Sequence, residues 1–141
     1  MADVGVDLTG RAVLVTGGTK GLGRGIAEVF RESGAHVLVC ARNPPDPAID
    51  DFVAADLRDP DGAAAVVAAA VERWGRLDVV INNAGGAPPA PAADASANFV
   101  AKVIALNLLA PLYIAQSAHR VMAYQPDGGV MIRIERLSGH R

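Results

Sequence analysis

The chain has 141 residues, a formal net charge of −2, and 51% hydrophobic and 20% charged residues. That length suits one folded domain with a sizeable core, and a balance so near neutral excludes a cationic face for nucleic acid or an anionic membrane. Cys40 is the only cysteine, which excludes an internal disulfide and reads as a small buried hydrophobe.

The first ten residues, MADVGVDLTG, lack the basic-then-apolar order of a secretory leader. RAVLVT (11–16) reads as a buried strand, and Leu22, Ile26, Val29 and Phe30 then recur at helical spacing until Ser33-Gly34 supplies a stop. HVLVCA (36–41) is a second strand, and NPPDP after it is a loop because its prolines remove donors and fix the backbone. DFVAAD (51–56) is a third strand. Asp59 and Pro60 make a cap and first position for a helix to Trp74, ended by Gly75, with Ala64, Val67, Ala68 and Val71 as its apolar stripe.

LDVVIN (77–82) is the fourth strand, followed by the loop GGAPPAPAAD. A long helix runs from about Ser96 to Tyr124 and bends near Pro111. Its most apolar part, 103–118, is interrupted by Asn107, Pro111, Gln116 and Ser117 and falls short of the roughly 20 apolar residues of a membrane span. GVMIRI (129–134) is a fifth strand in which Ile132 and Ile134 alternate with Arg133 and Glu135, the pattern of a sheet edge protected by charge. The short basic groups around Arg24 and Arg133–Arg141 read as solvated faces. Strands of this length alternating with helices predict an α/β chain with a Rossmann-type, doubly wound parallel sheet of about five strands, in one domain over 1–141. A soluble, cytoplasmic protein is expected, with no membrane or nucleic-acid partner and no metal.

Between the first strand and its helix lies TGGTKGLGRG (16–25). Gly17 permits a tight turn, and Gly21 and Gly23 leave room for a pyrophosphate at the N–H groups of the helix start. The G-x-G-x-x-G spacing is absent, because Ile26 stands where its third glycine would be. The spacing instead resembles the T-G-x-x-x-G-x-G motif of the short-chain dehydrogenase/reductase family. AADL (54–57), ERWGRLD (72–78), INNAG (81–85) and Asn107 in IALNLLAPL resemble further motifs of that family, in its order.

The resemblance implies a nicotinamide dinucleotide as partner, held by Thr16, Gly17, Lys20, Gly21, Leu22, Gly23, Asp56, Leu57, Asn83, Ala84 and Gly85. Asp56 and Leu57 would meet the adenine ring. At the end of the second strand, Cys40-Ala41-Arg42-Asn43 offers no carboxylate for a ribose 2′-OH. Arg42, with Lys20, offers cations for a 2′-phosphate, so NADP(H) is favoured over NAD(H).

The reaction implied is hydride transfer between nicotinamide and a small carbonyl or alcohol, in a family that uses Asn, Ser, Tyr and Lys. Asn107 matches the asparagine. Arg136 stands at the serine's place, Ser138 lies two residues beyond it, and neither Tyr113 nor Tyr124 has a lysine four residues later. The expectation is a fold truncated relative to the family's, with cofactor binding retained and catalysis lost. The alternative is an inactive nucleotide-binding or interaction module, or the remnant of a truncated gene. Family members commonly assemble as dimers or tetramers through the helix holding Asn107 and the one after it, so the resemblance implies that an oligomer is possible here.

Overall fold

The computed structural model describes residues 5–135. Five strands, β1 (Ala12–Thr16), β2 (His36–Ala41), β3 (Phe52–Ala54), β4 (Val79–Asn82) and β5 (Val130–Arg133), form one parallel sheet in the order β3-β2-β1-β4-β5. The predicted Rossmann-type architecture is therefore present, with β5 at one edge and β3 at the other. The chain winds outward from β1 to β3 and then crosses to the other side of β1. This opens a crevice at the carboxyl ends of β1 and β4, where such folds bind their ligands.

Every residue of β1 is buried, because β1 sits centrally and has packing on both faces. Leu14, Leu38, Cys40 and Val80 pack on one face with α2 (Pro60–Trp74) and α4 (Ala110–Met122). Val13, Val15, Val37, Val39 and Ile81 pack on the other with α1 (Gly21–Glu32). The caps of α2 are as the sequence predicts. Asp59 accepts from the N–H of Asp61 at 3.0 Å, Pro60 opens the helix, and Gly75 closes it in the left-handed region at φ 69°.

Two helix faces differ from the sequence expectation. On α2 the buried residues are Ala63, Val66, Val67 and Ala70, one position from the expected stripe of Ala64, Val67, Ala68 and Val71. The run is mostly alanine and valine, so its composition barely distinguishes one face from the next. On α1 the small residues Gly23 and Ala27 are buried, whereas Leu22 is 64% exposed and Val29 also faces solvent. Small residues let the helix axis approach the sheet.

The long helix is irregular at Asn107, where the resemblance implies a break, four residues before the Pro111 near which the sequence predicts a bend. α3 (Ala97–Ile104), capped by Ser96, continues through a π-helical turn over Ala105–Leu109 into α4. The widened turn is therefore centred on Asn107, with Pro111 in the first turn of α4. Its signature is the N–H of Ala110 bonding the carbonyl of Ala105, five residues back.

The helical run Ala97–Met122 spans 26 residues, and its most apolar 18-residue stretch has a mean hydropathy of 1.6, which by length and composition alone is enough to cross a membrane. The expected shortfall is thus corrected, because the polar interruptions do not stop the helix. In the fold this run serves as a layer of the sheet, with Ala110, Ile114, Ala118 and Met122 in the core. Val100, Ile104, Leu108 and Leu112 form an exposed stripe along it.

At the amino ends of the strands, the carboxylate of Asp78 accepts from the N–H of Ala12 at 2.8 Å and from Arg76 at 2.6 and 2.7 Å. Gln125 ties the end of α4 to the same edge through the N–H and carbonyl of Leu77. These contacts fix the start of β1 and β4, and so the place where both strands deliver their carboxyl ends.

Candidate cofactor groove

A groove of about 910 Å³ opens at the carboxyl ends of β1, β2 and β4. It brings together every predicted cofactor residue except Thr16, with Leu106 from the helix break on its far wall. The residues that build it do so in three layers, from the strand ends outward.

Thr16 is 1% exposed. Its hydroxyl oxygen accepts from the N–H of Asn83 at 3.0 Å and of Ala84 at 2.9 Å, and donates to the carbonyl of Ile81 at 3.4 Å. Thr16 therefore joins the ends of β1 and β4 from beneath the groove. Asn83 returns the tie, its amide donating to the carbonyls of Thr16 (3.1 Å) and Gly17 (3.2 Å).

That latch leaves no space for side chains below it. Gly17 has φ 64°, and a Cβ there would lie 3.1 Å from the Cα of Ala84. A Cβ on Gly23 would collide with the amide of Asn83 and the carbonyl of Gly17. Gly21 is different, since a Cβ would meet nothing within 4 Å. It borders open groove. The first turn of α1 presents its unbonded N–H groups to the space over Gly21 and Gly23, together with the positive end of the helix dipole. A diphosphate fits that cradle.

Toward β2 and β3 the lining becomes charged. The carboxylate of Asp56 receives both Nε (2.8 Å) and Nη2 (2.5 Å) of Arg58 and the N–H of Arg58 at 3.0 Å. The hydrogen bonds from Arg58 hold the Asp56 carboxyl down at about 2, with Arg42 adding to the field. Sequence reading missed Arg58; its signal was the position two residues after an aspartate in an Asx-type turn. Lys20 and Arg42 are exposed on the groove wall, and among the described residues neither side chain forms a salt bridge or hydrogen bond. By contrast, Arg11, Arg24, Arg58, Arg73, Arg76 and Arg133 all have carboxylate partners.

On the opposite wall, the side chain of Asn107 leaves its helix to hold the loop after β4. Its oxygen accepts from the N–H of Gly86 at 2.8 Å, and its amide donates to the carbonyls of Gly86 (2.8 Å) and Val103 (2.9 Å). Gly85 packs against this side chain, and a Cβ there would stand 2.9 Å from the Asn107 oxygen. Asn107 thus shapes the groove from behind. Arg136 and Ser138 lie outside the described residues.

A second pocket of about 500 Å³ lies between α1 and residues 45–51. Glu28, Asp46, Asp50 and Asp51 line it, and its Arg24 is spent on Glu28 at 2.9 Å. Its charge disfavours phosphate, so the anion-binding features belong to the larger groove.

The family model for short chain dehydrogenase matches residues 11–141. An L-fucose dehydrogenase from Oryctolagus cuniculus is 35% identical over 113 residues, 74% of this chain and 40% of that protein. An L-rhamnose 1-dehydrogenase (NAD(P)(+)) from Sphingomonas sp. (strain SKA58) is 32% identical over 143 residues, 93% of this chain and 56% of that protein. A solved short chain dehydrogenase from Burkholderia cenocepacia J2315, in complex with NADP, matches with a TM-score of 0.81 at 26% identity, covering 89% of this chain and 55% of that one. The chain therefore spans about half the length of the relatives it matches.

Proposed function

The chain belongs to the short-chain dehydrogenase family, and we propose that its groove holds NADP(H) for hydride transfer between nicotinamide and a small carbonyl or alcohol in the whole protein. The observation that carries the cofactor choice is the pair Lys20 and Arg42. Both are cationic and exposed, and among the described residues neither side chain forms a salt bridge or hydrogen bond; Arg42 stands at the end of β2, where the chain has no carboxylate, and acts on Asp56 only through its field. A 2′-phosphate supplies the missing anion, and the planar guanidinium of Arg42 suits it. The NADP complex of a relative supports this reading, whereas the NAD(P)(+) in another's name covers both nicotinamides.

The nicotinamide supplies the hydride chemistry when bound. The residues of this chain bind and orient it. The cradle at Gly17, Gly21 and Gly23 takes the diphosphate, Asp56 and Leu57 border the adenine, and Asn83, Ala84 and Gly85 line the groove at the end of β4.

The Arg42→Asp variant tests the choice by fluorescence titration. NADPH affinity should fall about 10- to 100-fold, the weight of one charge-assisted hydrogen-bond pair, while NADH is spared. Equal loss for both cofactors removes the assignment.

A second reading, cofactor binding without turnover, rests on sequence identities. Glu135 and Arg136 occupy the family's serine pair, and Tyr113 and Tyr124 are followed four residues later by Ser117 and Gly128. Titration of this polypeptide with NADPH and a carbonyl panel separates the two readings. Binding without oxidation of NADPH supports the second, and turnover overturns it.

A further inference from the structure

Pro111 lacks an N–H, so a helix that contains it cannot bond the carbonyl four residues earlier, which belongs to Asn107. In the fold that carbonyl is not left to solvent. Nη2 of Arg133, reaching from the edge strand β5, donates to it at 2.6 Å. Nε of the same guanidinium is held by Glu135 at 2.7 Å. The Arg133 that broke the apolar pattern of the fifth strand thus has a definite partner.

Asn107 is the residue whose side chain grips both backbone groups of Gly86. A continuous set of contacts therefore runs from Arg133 to the Asn107 carbonyl, through the π-helical turn, to Gly86 and to Gly85 on the groove wall. That wall lies at the end of β4, while Arg42 lies at the end of β2, on the other side of β1. At roughly 5 Å per strand the two are about 10 Å apart, so a dinucleotide anchored at Arg42 meets the Gly85 wall with its nicotinamide half.

We propose that Arg133 is a positioning residue: by bonding the carbonyl that Pro111 orphans, it fixes the Asn107 turn and so the wall that receives the nicotinamide half of the cofactor. This rests on the cofactor reading above and adds to it a residue outside the groove that acts on only one half of the ligand. Asn107 and Pro111 explain why a cation stands at this position of β5, where the sheet itself would accept an apolar side chain.

The test is calorimetric titration of the intact 141-residue chain with two probes, NADPH and 2′,5′-ADP, which carries only the adenosine half. Arg133→Met removes the donors and keeps much of the stem. It should weaken NADPH about tenfold, the weight of one charged hydrogen bond, and leave 2′,5′-ADP unchanged. Arg133→Lys retains a donor and should recover most of the loss. Pro111→Ala returns an N–H to the Asn107 carbonyl, so adding Arg133→Met to it should cost less than about twofold, a coupling read as a double-mutant cycle.

Loss of both probes together in Arg133→Met and Arg133→Lys overturns the inference in favour of a general structural role. So does no loss for either probe, or a full tenfold loss in the Pro111→Ala background. If the unaltered chain binds neither probe, the cofactor reading itself is wrong, which is a distinct result.

Discussion

Replacing Thr16 with valine keeps the shape of the side chain and deletes the oxygen that joins β1 to β4. That oxygen accepts two N–H groups, from Asn83 and Ala84. The Asn83 N–H has a second acceptor in the carbonyl of Ile81 at 3.0 Å, so only the Ala84 N–H loses its partner outright. One orphaned, shielded donor costs about 1–3 kcal/mol and a weakened one a fraction of that, giving a loss of about 2–3 kcal/mol. Thr16→Ser keeps the oxygen and removes one methyl, for about 1 kcal/mol. Urea unfolding followed by Trp74, the only tryptophan, compares the two. For a typical urea slope the valine variant's midpoint should fall by about 1 M or more, and the serine variant's by about half that or less. Because Ala84 and Gly85 line the groove, NADPH affinity should fall in the valine variant alone. Equal midpoints and equal affinities for the two variants would refute the role assigned to the hydroxyl.

Two further outcomes follow from the same geometry. Gly23→Ala forces a Cβ against the Asn83 amide and the Gly17 carbonyl; it should cost about 1–3 kcal/mol of stability and lower NADPH affinity, whereas Gly25, with open space around it, should accept alanine without loss of binding. The Asp56 carboxyl is held at about 2, below its ordinary 3.8. Its contribution is therefore complete above about pH 4 and is lost as pH falls through about 2. The carboxylate is 42% exposed, so screening keeps the effect small. Asp56→Asn should narrow the difference in urea midpoint from the unaltered chain as pH is lowered from about 5 to 2. A constant difference across that range would remove the Arg58 pairing as its cause.

Much of the fold was legible because its signals are local. Valine-rich runs marked β1, β2 and β4, and Asp59, Pro60 and Gly75 marked α2 to the residue. The helix faces were less legible. In an alanine-rich helix no composition contrast selects a side, and on α1 the residues chosen by the sheet are small ones, Gly23 and Ala27, that a search for large apolar groups passes over. The proline was correctly tied to a helix break, but its physical effect falls four residues earlier, at Asn107.

The candidate site divides the same way. Glycine spacing and the bare end of β2 were visible in the chain, so the groove residues could be named. Which groups face the groove was not visible, since Thr16 turns its hydroxyl to β4 only once the two strands lie side by side. The clamp of Arg58 on Asp56 and the reach of Arg133 to Asn107 likewise depend on side-chain placement that residue order does not encode.

The central claim is that the groove selects NADP(H). Titration of the intact chain with NADPH and with NADH, each competed by 2′,5′-ADP, tests it most directly. The account predicts saturable, one-to-one NADPH binding, about tenfold or more tighter than NADH and displaced by 2′,5′-ADP, as expected of a charge-assisted contact to the 2′-phosphate. Binding of NADH as tightly as NADPH, or no saturable binding of either, would contradict it.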